Sequence, residues 1–167
     1  DGFATGYDNQ YHVFLVPGQQ ECFDSTFTVC YSPFIPNSWI FCAYHGSADF
    51  TDIGHVLYSV EPFMNVPGCS VRPGTPNGQL TDSTNNVLSH ELTETITDPD
   101  GTAWYNTDNV GMSGQEIGDE CSFYERFPDA QGVVSNYFDP SNVTLNGKAY
   151  AIQPEYNNAQ SACTTTP

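Results

Sequence analysis

The segment Ser89-His90-Glu91-Leu92-Thr93-Glu94 lies in the one long stretch of the sequence that has the pattern of an α-helix. The helix is predicted to begin near residues 81–83, whose side-chain oxygens accept hydrogen bonds from the free N–H groups of a first turn. It is predicted to end before Pro99, because proline disfavours helical geometry at the preceding residue. Apolar residues recur within these limits at helical spacing, which predicts a buried stripe made of Val87, Leu88, Leu92 and Ile96.

His90 and Glu94 form a potential metal-binding pair on the other side of this predicted helix. Residues at positions i and i+4 lie one turn apart, so both side chains can bind the same ion. Glu91 points alongside them, toward a water on that ion, and is predicted to be a general base. Imidazole and carboxylate are both zinc ligands, and carboxylate also suits calcium or manganese. We therefore expect Zn²⁺, with Ca²⁺ as the alternative.

The interval from Arg72 to Arg126 supports a bound cation. It contains no other lysine or arginine and ten acidic residues, which are Asp82, Glu91, Glu94, Asp98, Asp100, Asp108, Glu116, Asp119, Glu120 and Glu125. Like charges that converge in a partly buried site are unfavourable unless protons or a cation neutralise them. A metal ion is the simplest such cation.

The charge of the whole chain excludes several classes of partner. The 167 residues include 20 Asp or Glu and three Lys or Arg, for a net charge of −17. Binding to nucleic acid without sequence preference needs lysine and arginine, and anionic membrane surfaces are disfavoured for the same reason. No stretch approaches the roughly 20 apolar residues of a membrane-spanning helix. We expect one monomeric domain over residues 1–167 that acts on a protein or peptide substrate.

The six cysteines predict three disulfides and an oxidising compartment. Among the possible pairings we favour Cys22–Cys30, which closes a hairpin-sized loop, together with Cys42–Cys69 and Cys121–Cys163. The chain opens without a basic segment followed by an apolar one, so we expect any signal or pro-segment to have been removed. The sequence therefore predicts a secreted, extracellular protein.

Short runs of β-forming residues separated by Gly, Pro, Asn and Asp predict four strands before the helix. These runs are 11–16, 26–30, 38–44 and 55–60. After the helix, 115–121 is predicted to be a short helix and 148–153 a strand. His45 follows a predicted strand, and we interpret it as structural, with a position beside the metal or a substrate oxyanion as the alternative.

The stretch His90-Glu91-Leu92-Thr93-Glu94 resembles the HExxH motif of zinc peptidases, with Glu in place of the second His. The resemblance implies an α+β fold in which a zincin-like mixed sheet packs on the metal-binding helix. Similarity to the gluzincin arrangement implies that Glu116 is the third ligand and that Asp119 orients His90. The reverse assignment, with Asp119 as the ligand and Glu116 as the orienting residue, stays open. Asp100, at the spacing of a metzincin third ligand, is the second choice.

The order of several motifs over roughly residues 11 to 163 resembles the EXORDIUM or phosphate-induced protein family of secreted plant and microbial proteins. The matching segments are 41–46, 67–69, 89–99, 104–105, 116–121 and Cys163. The family looks metallopeptidase-like, although its plant members are discussed as extracellular growth-related proteins. The chain departs from the family in its segment from Cys22 to Cys30 and around 66–70.

These observations predict a secreted metal-dependent peptidase with Glu91 as its general base. The alternative is a non-catalytic extracellular or cell-wall protein with a structural zinc or calcium ion. A third interpretation, a calcium-stabilised carbohydrate-binding domain, draws on the content of Trp, Tyr and Asn.

Overall fold

The computed structural model describes residues 2, 4–34, 41–107, 115–122, 124–128 and 131–166. In these ranges the helix is α1 (Gln79–Thr97), and a 3₁₀ turn spans Asp119–Cys121. The strands are β1 (Gln10–Phe14), β2 (Glu21–Cys22), β3 (Cys30–Tyr31), β4 (Tyr44–Phe50), β5 (Gly54–Glu61), β6 (Tyr124–Pro128), β7 (Val134–Phe138), β8 (Ser141–Leu145), β9 (Lys148–Ile152), β10 (Glu155–Asn157) and β11 (Ala162–Thr164). The chain is a mixed α and β protein made mostly of strands, as predicted.

The largest sheet of the described residues is mixed, with strand order β1-β5-β4. Strand β1 is parallel to β5, and β4 is antiparallel to it. The register sets His12, Ser59 and His45 side by side in one row. Since side chains alternate along a strand, the buried Ser59 and Glu61 share one face of β5.

Helix α1 packs between this sheet and the hairpin of β8 and β9. On the sheet side, Gln10 Nε2 donates to Thr95 Oγ1 over 2.7 Å. On the hairpin side, the Nδ2 of Asn77, just before the helix, donates to the carbonyl of Ala149 over 2.8 Å. The same Nδ2 also donates to Asp82 Oδ1 over 2.8 Å. The loop before α1 is thus tied to both the helix and the hairpin.

The prediction of a buried apolar stripe on α1 is wrong. Ile96 is 71% exposed and Leu92 is 40% exposed, whereas Val87 is 3% exposed. The buried face of the helix is instead mostly polar and consists of Asp82, Ser83, Asn86, Val87, Glu91, Glu94 and Thr95. Hydrogen bonds to the sheet and the hairpin hold this polar face inward. Tertiary contacts, and not the spacing of apolar residues, therefore determine which side of the helix is buried.

The three disulfides are Cys22–Cys30, Cys42–Cys69 and Cys121–Cys163, which confirms the predicted pairings. Cys69 belongs to the main apolar core, together with Tyr31, Ala43, Met64, Val66, Val71, Val87 and Phe138. Among the described residues, no helix is long and apolar enough to cross a membrane.

Two strand predictions need correction. Residues 26–29 form a turn, because the carboxylate of Asp24 accepts hydrogen bonds from the backbone N–H groups of Thr28 and Val29. The predicted strand 38–44 begins outside the described residues, and the observed strand β4 starts only at Tyr44. The short helix predicted over 115–121 is limited to the 3₁₀ turn, while strand β9 confirms the prediction at 148–153 except for its last residue.

Candidate metal centre

Helix α1 brings His90 and Glu94 together as their spacing predicts. Nε2 of His90 lies 3.1 Å from Oε1 of Glu94. The 3₁₀ turn supplies Asp119, whose Oδ1 lies 3.6 Å from the same Nε2 and whose backbone N–H donates to Glu94 Oε1 over 3.2 Å. Ligand atoms about 2.0–2.2 Å from a tetrahedral zinc ion are about 3.3–3.6 Å apart, so the separation to Asp119 fits such an ion and the 3.1 Å separation between His90 and Glu94 is slightly shorter.

These three residues form one of two groups that offer ligand atoms within 4.8 Å of one another in the described part of the chain. The other group is His45, Glu91 and Glu94. Glu94 is common to both, because its Oε1 faces His90 while its Oε2 lies 3.8 Å from Nε2 of His45. The two histidines therefore flank a single carboxylate.

The second ring nitrogen of His90 is held by a residue that the sequence did not single out. Nδ1 of His90 lies 3.2 Å from Oε1 of Gln153, and Gln153 Nε2 donates to the carbonyl of Gly118 over 2.7 Å. The amide oxygen can only accept, so Nδ1 carries a proton, and Nε2, which faces Glu94, is the nitrogen that could bind an ion once it is deprotonated. Gln153 is therefore in the position of an orienting group for His90, and the orienting role predicted for Asp119 stays a prediction.

Glu116 lies on the far side of the site from His90. Both of its carboxylate oxygens are 3.1 Å from Nε2 of His45. Its assignment as the third ligand stays a prediction, since the group around His90 contains Asp119 and not Glu116. His45, interpreted from the sequence as structural, is in fact part of the site.

Asp100, the second choice for a ligand, is engaged elsewhere. Its Oδ2 accepts a hydrogen bond of 2.7 Å from the hydroxyl of Tyr7, and its Oδ1 lies 3.2 Å from Nε2 of His55. Neither group of potential ligands in the described residues includes it. Asp100 instead links the helix C-terminal loop to the N-terminal segment.

Glu91 is buried at the wall of the site, with 3% of its surface exposed. Its Oε2 has no hydrogen-bond partner among the residues that the structure describes. Burial raises the pKa of Glu91 well above its usual range, and the charges of Glu94, Glu61 and Asp119 act in the same direction. A carboxylate in such surroundings is a stronger base than one in water.

Both histidines are protonated more readily than usual. Burial lowers the pKa of His90, but the adjacent Glu94 and Glu91 outweigh it and hold that pKa well above the usual value. For His45 burial also acts downward, and the hydrogen bond and charge of Glu116 raise its pKa overall. The surrounding field is thus strongly negative and favours a cation.

Two further acids belong to this field, although no sequence pattern indicated them. Burial raises the pKa of Glu61 to about 7 and that of Glu155 to about 8. Neither oxygen of Glu155 has a hydrogen-bond partner in the described ranges, and the same holds for Oε2 of Glu61. Both acids interact with the site residues. The charge of Glu61 raises the pKa of Glu91, and the charge of His90 lowers the pKa of Glu155.

The site opens into a cleft of about 480 Å³, here called the metal cleft. One wall carries the aromatic side chains of Phe23, Phe41 and Tyr44. The ring of Phe23 lies 4.6 Å from that of Phe41 and 4.5 Å from that of Tyr44, between centroids. The potential ligands are therefore reached from a cleft with one apolar wall.

Comparisons with protein-family models, with curated proteins and with solved structures found no match to this chain. The case for a function therefore rests on the chemistry of the site itself.

Proposed function

We propose that this protein is a secreted, metal-dependent peptidase with a zincin-like site, in which Glu91 is the general base. The observation that carries the proposal is the position of the buried Glu91 beside His90, Glu94 and Asp119, whose ligand atoms lie within 4.8 Å of one another. The similarity to the HExxH motif and to the EXORDIUM family supports the same interpretation and is part of the proposal.

The residues present fit a divalent cation. One imidazole and two carboxylates form a donor set that zinc accepts and that calcium or manganese would also tolerate. The orphaned Oε2 of Glu91 and the closeness of the Glu94 and Asp119 carboxylates to His90 support a cation at this point, since it would neutralise carboxylates that no lysine or arginine pairs with among the described contacts. We propose Zn²⁺ held by His90, Glu94 and Asp119.

Zinc, when bound in such a site, polarises a carbonyl group and lowers the pKa of a water molecule. Glu91 accepts the proton of the attacking water and returns it to the leaving amine of the peptide. Gln153 keeps the imidazole of His90 oriented throughout. The wall of Phe23, Phe41 and Tyr44 binds an apolar side chain of the substrate.

A second candidate is a non-catalytic extracellular protein with a structural ion. The observation that favours it is the second group of potential ligands, because Glu91 lies there with His45 and Glu94 and would be a ligand instead of a base. An open coordination position favours catalysis and a closed one favours structure. Three disulfides suit secretion in both cases.

The experiment compares native protein with Glu91→Gln after matched zinc loading, using a peptide library at several pH values. We expect Glu91→Gln to retain zinc and to lose about 10²–10⁴ in rate, because an amide cannot accept the proton. Asp52→Asn, an amide substitution in the exposed turn between β4 and β5, is the matched control and should cleave normally. If native protein cleaves nothing, the structural-ion function replaces the peptidase. If Glu91→Gln cleaves equally well, Glu91 is not the general base and the proposed mechanism is refuted.

A further inference from the structure

A second cleft lies beside the metal cleft, between the loop that follows α1 and strand β10. Its volume is about 600 Å³, which exceeds that of the metal cleft. We call it the aromatic cleft, because its walls include the rings of Trp104, Tyr105 and Tyr156 as well as the polar side chains of Asn106, Glu120 and Asn158. No lysine, arginine or histidine lines it in the part of the chain that the structure describes.

The aromatic rings form a platform. The ring centroids of Trp104 and Tyr156 are 6.0 Å apart and their planes are tilted by 39°. Tyr105, the next residue in the loop, is 45% exposed. Large aromatic faces are therefore available at the surface of this cleft.

The polar groups beside the platform are held in place. Nδ2 of Asn106 donates to Oε1 of Glu120 over 2.7 Å, and the backbone N–H of Asn106 donates to the carbonyl of Gln115 over 2.8 Å. The turn that carries Asn158 is fixed by Asn157, whose Oδ1 accepts from the N–H of Ala159 over 2.9 Å. Amide and carboxylate groups therefore have defined positions before a ligand arrives.

A disulfide makes the frame of the cleft rigid. Glu120 directly precedes Cys121, which is bonded to Cys163. Cys163 is the strand partner of Tyr156 in the pairing of β10 with β11. The disulfide therefore joins the segment that carries Glu120 to the strand that pairs with Tyr156. Because this frame is crosslinked, binding requires little ordering of the protein.

We propose that the aromatic cleft binds a neutral saccharide chain. The C–H face of a pyranose ring packs on aromatic faces, while its hydroxyl groups both donate and accept hydrogen bonds, as amide and carboxylate groups can. Acidic saccharides and phosphorylated ligands are disfavoured, since the described lining residues include no cationic side chain and the net charge of the protein is −17.

The geometry is less suited to a proline-rich peptide, the other common ligand of aromatic grooves. Such peptides insert their proline rings into slots between separated aromatic side chains. The ring centroids of Trp104 and Tyr156 are 6.0 Å apart, which is less than the roughly 7 Å that a proline ring needs between two aromatic faces at van der Waals contact. The amides and the carboxylate around the rings likewise match hydroxyl groups better than they match proline.

The saccharide site goes beyond the proposed peptidase and is separate from it. On strand β10 successive side chains point to opposite faces, so Glu155 and Tyr156 face different sides. The charge of Glu155 acts on His90, Glu94 and Asp119, whereas Tyr156 lines the aromatic cleft. Binding of a saccharide should therefore be independent of zinc and of Glu91.

The test is isothermal titration calorimetry of the full chain with four neutral probes, cellohexaose, xylohexaose, mannohexaose and fully N-acetylated chitohexaose. We expect at least one of them to bind, with and without chelator, and equally well to Glu91→Gln. Trp104→Ala should weaken that binding by about tenfold or more, since it removes a stacking surface. Trp104→Phe, which keeps a ring and guards against misfolding, should weaken it less.

Phe50→Ala provides the matched control, because Phe50 is an exposed aromatic residue at the far end of β4. It should leave saccharide binding unchanged. The proposal is overturned if none of the four probes binds to folded native protein. It is also overturned if Trp104→Ala and Phe50→Ala bind equally well, or if a polyproline peptide binds and the neutral saccharides do not. A protein that binds saccharide but cleaves no peptide would refute only the peptidase.

Discussion

Gly118 stands against His90 so closely that a methyl group on its Cα would lie 2.7 Å from Nδ1 of the imidazole. The same methyl group would lie 2.9 Å from Oε1 of Glu94. The backbone of Gly118 is in the ordinary helical region, with φ −76°, so glycine is needed here for space and not for backbone freedom. The contact makes Gly118 part of the candidate metal centre although it offers no side-chain ligand.

We therefore expect Gly118→Ala to weaken zinc binding by about 10–100-fold, the usual effect of disturbing a group that orients a ligand. The added carbon displaces His90 or Glu94, because real side-chain contacts are not this short. Gly2→Ala is the control, since nothing lies within 4 Å of the added carbon there. Competition with a zinc chelator measures both affinities. Equal affinities would show that the imidazole can move away without cost.

The sequence predicted those parts of the site that local geometry determines. The i,i+4 spacing of His90 and Glu94 required only that the helix form, and the helix ends at Thr97, before the proline. The favoured disulfide pairings are also present, and Cys22–Cys30 closes the hairpin-sized loop from which it was predicted. The helical pair and this short disulfide depend on one element or one loop, whereas Cys42–Cys69 and Cys121–Cys163 join residues 27 and 42 positions apart.

The parts that the sequence did not predict depend on pairing between distant segments. His45 and Gln153 reach His90 and Glu94 only because β4 and the segment after β9 pack on opposite sides of α1. The buried Glu61 has no motif, and its burial follows from the alternation along β5 once that strand is paired. The helix face was mispredicted because the apolar period was assumed to mark the buried side. In this protein the buried side instead carries Glu91 and Glu94 of the candidate site.

The exposed side of α1 gives a second prediction. Ile96→Ala should change the free energy of unfolding by no more than about 0.5 kcal/mol, because its side chain is largely in solvent. Val87→Ala, on the same helix but in the core, should cost about 1–3 kcal/mol through lost burial and a cavity. Urea unfolding of both variants measures the difference. A larger loss for Ile96→Ala would indicate that the apolar stripe is covered in the folded protein.

The stability of the zinc-free protein should fall as the pH rises from about 4.5 to about 8. Glu61 and Glu155 change from the ordinary value of 4.5 to pKa values of about 7 and about 8 in the folded state, mainly because of burial. Between these values the folded protein retains protons that the unfolded chain has lost, so raising the pH favours unfolding. Thermal melts in chelator at constant ionic strength test this pH dependence.

Glu155→Gln separates this effect from the general repulsion of an acidic chain. It removes one negative charge, and so does Asp52→Asn in an exposed turn. We expect Glu155→Gln alone to flatten the decline in Tm between pH 5 and pH 8, because it removes the group with the raised pKa. If both variants changed the decline to the same extent, net charge and not the buried carboxyl would be the cause.

The third metal ligand is decided by comparing Asp119→Asn with Glu116→Gln. Asp119 Oδ1 lies 3.6 Å from His90 Nε2 and within 4.8 Å of the ligand atom of Glu94, whereas Glu116 contacts His45. Asp119→Asn exchanges a carboxylate for a weaker neutral donor, so we expect it to lose stoichiometric zinc during dialysis against a mild chelator. Glu116→Gln should retain zinc and should lower the pKa of His45, because it removes the charge that raises that pKa.

Elemental analysis gives the zinc content, and NMR titration of the zinc-loaded protein follows the His45 ring. The opposite pattern, with zinc lost from Glu116→Gln and kept by Asp119→Asn, would restore Glu116 as the ligand, as the gluzincin resemblance implies.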